Sequence, residues 1–389
     1  MINLIKATLA NVRGRCSKLS APLWRIPAST PVNSRRFLEE PDIYRPGGFH
    51  PVSLGDTFNN KRYTVLRKLG YGQYSTVWLA RDSKCQRYVA LKLLRAACYG
   101  GSHDIFEREN LSSISEVSRR SSHKGHKNLL HLLEQFNHKG PNGDHVCLVF
   151  DVLGHHLDFQ TAKYKDGRLP VKAVKEIARH LLMGLDFLHR ECGIIHTDLK
   201  PTNILLELEN PNETISKYLE SVPPRTDERQ DGAIVPLRES FALRAPEVTI
   251  GAPWDTAVDI WSLGCLVVEF VQGIVLFSGN ASERGTWTAE DDHLARIVEI
   301  LGPFPSSLLK KGRHSADLFD EQGKLIRIPN LKATSLERLL NGKVKPLIKP
   351  DDMPDTEIGS FIDFIKSMLA IDPMARKSAA ELLKHEWLS

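Results

Sequence analysis

The chain has 389 residues, 41% hydrophobic and 25% charged, enough for a sizeable buried core and better suited to two globular units than to one. A net charge of +5 is mild for this length, and acidic and basic residues are mixed after the amino terminus, so direct nucleic-acid binding is not indicated. The six cysteines (Cys16, Cys85, Cys98, Cys147, Cys192, Cys265) form no Cys-x-x-Cys pair, which argues against a zinc site or a disulfide framework and fits a reducing compartment.

In chain order, residues 1–38 carry Lys6, Arg13, Arg15, Lys18, Arg25, Arg35 and Arg36 among Ser and Thr, with no acidic residue before Glu39. That is the composition of a mitochondrial presequence or of a disordered basic arm, over about residues 1–45. From Tyr63 the apolar pattern (Val65, Leu69, Val77, Leu79, Val89, Leu91), broken by Gly70, Gly72 and Asp82, predicts antiparallel strands. A helix is expected over Ile105–Val117, and strands over Leu129–Phe136 and Val146–Val152, making a β-rich lobe of residues 46–153. Beyond Pro170, Val171, Val174, Ile177, Ala178, Leu181, Leu182, Leu185 and Leu188 fall at helical spacing, so residues 154–389 read as mainly α. Residues 207–240 read as a solvated polar insert and residues 302–355 as a loop-rich insertion. The apolar run Ile260–Phe277 is interrupted by Glu269 and Gln272 and reads as a core helix, so no transmembrane segment is expected.

Gly70-Tyr-Gly72-Gln-Tyr-Ser75 lies between two predicted strands, where small residues let backbone amides approach phosphates; alone it could equally be a hairpin turn. Val89-Ala90-Leu91-Lys92 follows, and a helix-borne carboxylate can hold the Lys92 ammonium against the α- and β-phosphates of a nucleotide. Glu109 is the favoured carboxylate and Glu107 the competing one. The most specific string is His196-Thr-Asp198-Leu-Lys200-Pro-Thr-Asn203. Asp198 can orient a substrate hydroxyl, Lys200 can neutralise charge on a transferring phosphoryl group, and Asn203 can ligate a magnesium ion. Ala245-Pro-Glu247, Asp259-Ile-Trp-Ser-Leu-Gly264 and Asp372-Pro-Met-Ala-Arg376 follow, with Arg376 able to form a buried pair with Glu247.

Together these strings resemble eukaryotic protein kinases from about Tyr63 to Leu388. Gly47-Gly-Phe-His-Pro-Val-Ser-Leu-Gly-Asp-Thr-Phe, Ser75-Thr-Val-Trp78-Leu-Ala, Phe150-Asp-Val-Leu-Gly-His-His, the variant His-Thr-Asp and Asp292-His-Leu-Ala-Arg-Ile-Val-Glu299-Ile-Leu-Gly-Pro-Phe-Pro are similar to SR-protein kinases of the CMGC group. The resemblance implies an α+β, two-lobed protein kinase-like fold that transfers the γ-phosphoryl of ATP, with Mg2+, to Ser or Thr of Arg-Ser-rich proteins. It implies a monomer of nucleus and cytoplasm, with mRNA-splicing regulation as the family role; the basic amino terminus keeps a mitochondrial location open. By resemblance, Phe150 flanks the adenine pocket and the backbones of Asp151 and Leu153 bind the adenine edge. Val77, Ala90 and Leu205 sandwich the ring, and Leu69 lines the cleft with Gly70 and Gly72. Asp292, Glu299 and Lys343 match positions of a substrate-docking groove, whose fourth acidic position is Ile274 here. Thr197 replaces an arginine that answers an activation-loop phosphate in many kinases, so control by such a phosphate is not expected.

One part of the pattern is missing. Between Asn203 and Glu247 no strand followed by a magnesium-binding Asp, an apolar residue and Gly can be found; Asp231-Gly232 lacks the middle residue and follows a highly polar stretch. A break between about Gly232 and Phe241 looks like an excised block. Three readings stay open: an active kinase whose full transcript carries the block, a pseudokinase that binds nucleotide or serves as a scaffold, and a chain whose large lobe, short of a core strand, does not fold.

Overall fold

The computed structural model describes residues 5–7, 43–100, 104–223, 240–341, 343, 347 and 349–389. The small lobe is a six-stranded antiparallel sheet ordered β2-β3-β4-β5-β7-β6, from β2 Thr57–Phe58, β3 Tyr63–Tyr71, β4 Ser75–Asp82, β5 Arg87–Leu94, β6 Leu132–Gly140 and β7 Gly143–Asp151. Alternating apolar residues bury one face around Tyr63, Val65, Trp78, Ala80, Val89 and Leu91, as a half-covered antiparallel sheet requires. β6 and β7 both start away from the expected bounds: β6 begins three residues after Leu129, and β7 begins at Gly143, where a tight turn joins the two. Between β5 and β6 runs helix α1, Glu107–Arg120.

The large lobe is helical: α2 Leu157–Thr161, α3 Val171–Asp186, α4 Pro211–Ser221, α5 Pro246–Thr249, α6 Ala257–Gln272, α7 Ala289–Leu301, α8 Ser306–Leu309, α9 Ser315–Leu318, α10 Leu336–Leu340, α11 Ile358–Met368 and α12 Ala379–Leu382. α3 buries Val171, Val174, Ile177, Ala178, Leu181, Leu182 and Leu185, the stripe its spacing predicts, against α6 and α12. α6 stops at Gly273, whose φ of 68° is the left-handed cap glycine favours, so the apolar run continues to Phe277 as loop rather than helix, half-buried at Ile274 and Val275 and buried at Leu276 and Phe277. Within 302–341 only short helices interrupt the loops.

Two expectations are corrected here. The polar insert is not wholly solvated: α4 starts with Pro211 and buries Ile215 in a cluster with Leu79, Val152 and Leu208, against which Leu66, Leu69, Tyr88, Ala90 and Leu219 pack. The Tyr88 backbone N–H donates to Asn212 Oδ1 at 3.1 Å and Arg67 Nη2 donates to the Val222 carbonyl at 3.1 Å, fastening α4 to the small lobe. Nor is the amino-terminal arm without structure throughout, since β1, Ile5–Ala7, pairs in parallel with β8, Ile204–Leu206. Asp231 and Gly232 lie outside the described residues.

Candidate active site

The catalytic loop is positioned by a chain of local causes. α3 ends in a π-helical turn, Phe187–Cys192, closed by Gly193 at φ 64°. That turn aims His189 at Asp259 in the first turn of α6, with Nε2 2.8 Å from Asp259 Oδ2. The fully buried Asp259 carboxylate also accepts the backbone N–H groups of His196 and Thr197, each at 2.8 Å. Thr197 is thereby held at φ 64°, a left-handed conformation that is strained for a β-branched residue. Sequence reading placed Asp259 in a structural motif but missed this clamp; the signal available was an acid in the first helical turn at a fixed distance beyond the His-Thr-Asp string.

The clamp presents Asp198, Lys200 and Asn203 as one cluster. Asn203 Nδ2 donates to the Asp198 carboxylate at 2.6 Å and to its carbonyl at 2.9 Å, and Lys200 Nζ lies 3.1 Å from Asp198 Oδ2. Asp198 and Asn203 are buried. His196, also buried, has its pKa lowered by loss of hydration, so the neutral ring is favoured; its Nε2 has no hydrogen-bond partner among the described residues. A cleft of about 220 Å3 opens beside Asp198, lined by Thr197, Leu243, Arg244, Val248 and Trp254.

On the small lobe, Gly72 lies in the β3–β4 turn, its N–H donating to Ser75 O at 2.9 Å, and a Cβ at Gly70 or Gly72 would meet no neighbouring atom. Lys92 on β5 stands opposite Val77 and Leu148 in the sheet. Its partner is Glu107, with Nζ 2.5 Å from Oε1, and not the favoured Glu109. The reason is helical phase. α1 begins at Glu107, after Phe106 turns the chain at φ 50°, so Glu107 faces inward and is 2% exposed. Two residues on, about 200° round the helix, Glu109 bonds Arg108 and the Tyr99 hydroxyl at the surface. The other Glu107 oxygen, Oε2, is buried without a partner among the described residues.

Ala90 pairs with Phe150 across the sheet, and Phe150 is nearly fully buried. Val77, Ala90, Leu153 and Leu205 are all half-buried, and Leu69 and Ala90 contact the apolar cluster that α4 completes. Asp151 is exposed and its carboxylate meets Arg87 at 3.3 Å. After it, Gly154 N–H donates to Leu206 O at 2.7 Å and His156 bridges Leu205, tying the inter-lobe segment to β8.

The docking residues are engaged within the chain. Asp292 accepts the Asn280 N–H at 2.9 Å, and Glu299 accepts the Lys332 N–H at 2.9 Å. Arg296 lies between these two acids, 3.8 Å from Asp292 and 3.5 Å from Glu299. Lys343 is exposed, while Ile274 packs against the hydrophobic core. Farther off, Arg376 holds Glu247 through two bonds of 2.6 and 2.7 Å, both side chains fully buried.

The donor set at Asn203 fits a hard divalent cation. Because Nδ2 is committed to Asp198, the amide oxygen Oδ1 faces away from that bond, and an amide oxygen beside a carboxylate is the type of ligand Mg2+ takes along with phosphate oxygens. Among the described residues, no group of three or more His, Cys, Asp or Glu side chains is placed to hold a metal by itself.

Comparison with known proteins agrees with this arrangement. The protein kinase domain model matches residues 63–388. Protein kinase dsk1 of Schizosaccharomyces pombe is 31% identical, covering 90% of this chain and 85% of its own. The serine/threonine-protein kinase SRPK of Physarum polycephalum is 31% identical over 90% of this chain and 91% of its own, and SRSF protein kinase 3 of Mus musculus is 27% identical over 90% of each. With a β-rich lobe over a helical one and the domain match spanning both, the chain belongs to the protein kinase domain family, as a serine/threonine kinase of the SR-protein-kinase kind in the CMGC group.

Proposed function

We propose that the chain transfers the γ-phosphoryl of ATP to serine or threonine hydroxyls of Arg-Ser-rich proteins, acting as a monomer in the nucleus and cytoplasm, with splicing factors as the substrate class. The observation that carries this reading is the joint presence of the Lys92–Glu107 pair and the Asp198–Lys200–Asn203 cluster in one fold. Lys92, fixed by Glu107, binds the α- and β-phosphates. Asp198, held by Asn203, accepts the hydrogen bond of the substrate hydroxyl and directs its lone pair at the phosphorus. Lys200 carries positive charge to the γ-phosphoryl oxygens as they gain negative charge. Asn203 would hold Mg2+, which when bound neutralises phosphate charge. Leu69, Val77, Ala90 and Leu205 give the apolar walls for adenine, with Gly70 and Gly72 leaving room for the phosphates. The cleft beside Asp198 is the natural place for the residue following the phosphorylated serine. Asp292, Glu299 and Lys343 are proposed to dock basic substrate segments, which must then displace Arg296 from the two acids.

A nucleotide-binding scaffold is the second reading, favoured by the two buried polar atoms left without partners, His196 Nε2 and Glu107 Oε2. The two readings separate on one experiment. Radiolabelled ATP with an Arg-Ser peptide should give phosphoserine that vanishes in Asp198→Asn; ATP-dependent thermal stabilisation with no label transfer at any Mg2+ concentration would overturn catalysis and leave the scaffold.

A further inference from the structure

β8 is only three residues long, and it has two backbone edges to satisfy. One edge is bonded to the segment between the lobes, through Gly154 N–H to Leu206 O and Leu206 N–H to His155 O at 3.2 Å. Ile204 is fully buried and Leu206 nearly so, so amide groups left open on the other edge would be shut away from water without partners. A chain ordinarily fills such an edge by turning back in a hairpin, which pairs antiparallel. Here the chain instead runs from β8 into α4 at Pro211. The edge is filled by β1 in parallel register, Ile5 with Ile204, Lys6 with Leu205 and Ala7 with Leu206. Parallel pairing cannot come from a tight turn, so the strand is delivered from a distant part of the chain. β1 also lies against α3 and the Lys124–Asn128 turn.

We propose that Ile5–Ala7 is a donated strand that completes the core of the large lobe, and that the β8 edge is a strand-accepting groove which the same segment can enter as a separate peptide once the chain's own copy is removed. The inference is independent of phosphoryl transfer: an inactive scaffold would need the strand equally. It adds a consequence to any cut between Ala7 and the small lobe. Such a cut leaves the strand held only by its hydrogen bonds and contacts, so it becomes exchangeable and the catalytic loop's neighbour β8 becomes open.

The test starts with hydrogen exchange on the intact chain, where the Ile204–Leu206 amides should be protected as strongly as the α3 core. Deleting residues 1–7 should speed exchange at the Leu205 amide, which faces β1 while the Leu206 N–H is bonded to His155, about 100-fold or more and lower the melting temperature, and Ala7→Pro, which removes a backbone donor beside Leu205 and stiffens the strand, should move both readouts in the same direction. A synthetic peptide spanning Ile5–Ala7 with its flanking residues should restore protection and melting temperature to the deleted chain; a scrambled peptide should not. If the deleted chain is recovered only as aggregate, the peptide added during refolding should raise the soluble yield. Rapid exchange at Ile204–Leu206 in the intact chain, a deletion that leaves melting and exchange unchanged, or a cognate peptide no better than the scrambled one would each overturn the proposal.

Discussion

Asn203 grips Asp198 at two points, its carboxylate and its own carbonyl, through a single amide nitrogen. The carboxylate therefore has a fixed rotamer before any substrate arrives, which is how a buried group avoids reorganisation during the reaction. Asn203→Ala is expected to lower kcat for peptide phosphorylation by about 10²–10³-fold, the range for loss of one preorganised polar contact, while the melting temperature changes little. Steady-state kinetics at saturating ATP with a melting curve on the same sample checks both halves.

Glu107 and Glu109 should behave oppositely although they are two residues apart. Glu107→Ala leaves the largely buried Lys92 ammonium unpaired and should cost about 3 kcal/mol in urea unfolding, the scale for breaking a buried ion pair, with a weakened affinity for ATP. Glu109→Ala removes a surface contact with Arg108 and Tyr99 and should stay within about 0.5 kcal/mol of the parent. A large effect at Glu109 with none at Glu107 would refute the assignment.

The Arg376–Glu247 pair is a buried ionic link of the large lobe, bidentate and with neither side chain exposed to solvent. Arg376→Met alone strands the Glu247 charge and should destabilise by about 3–5 kcal/mol. Combining it with Glu247→Leu should recover a substantial part of that loss, because the unpaired charge is removed as well. Chemical denaturation of the two single variants and the double variant measures the coupling.

Acid sensitivity is expected from the small lobe. His50 is buried, and burial, with His138 and His145 nearby, lowers its pKa to about 4 against the partial opposition of Asp56. His138 is shifted downward too, chiefly by burial. A folded pKa below that of the unfolded chain, about 6.5, means the unfolded state binds more protons between those values. Stability is therefore complete above about pH 6.5 and is lost as pH falls toward 4, with a slope from His50 that approaches about 1.4 kcal/mol per pH unit. His50→Gln should flatten that slope in urea titrations from pH 7 to pH 4.5; an unchanged slope would place the acid sensitivity elsewhere.

How much of this could be read in advance depended on how local each feature is. Asp198, Lys200 and Asn203 fall within six residues, so one loop brings them together and the sequence alone identifies the cluster. The choice between Glu107 and Glu109 needed the first residue of α1, and that boundary is set by Phe106 at positive φ, which propensity does not reveal. α4 was hidden in a polar stretch because a helix lying on a surface needs only a narrow stripe, here Ile215 and Leu219 one turn apart. The Asp259 clamp joins residues more than sixty positions apart, and only the packing of α6 against α3 brings them together. The pairing of Ile5–Ala7 with β8 was the least legible, since three residues in a basic arm carry no periodic signal.

The register Ile5 with Ile204 also sets a schedule for the ribosome. About 200 residues separate the partners, so at 5–20 residues per second roughly 10–40 s pass between synthesis of the donated strand and synthesis of the strand that receives it. During that interval Ile5–Ala7 has no β8 to join, and whatever else reaches it first, a chaperone or a targeting factor, competes directly with completion of the large lobe.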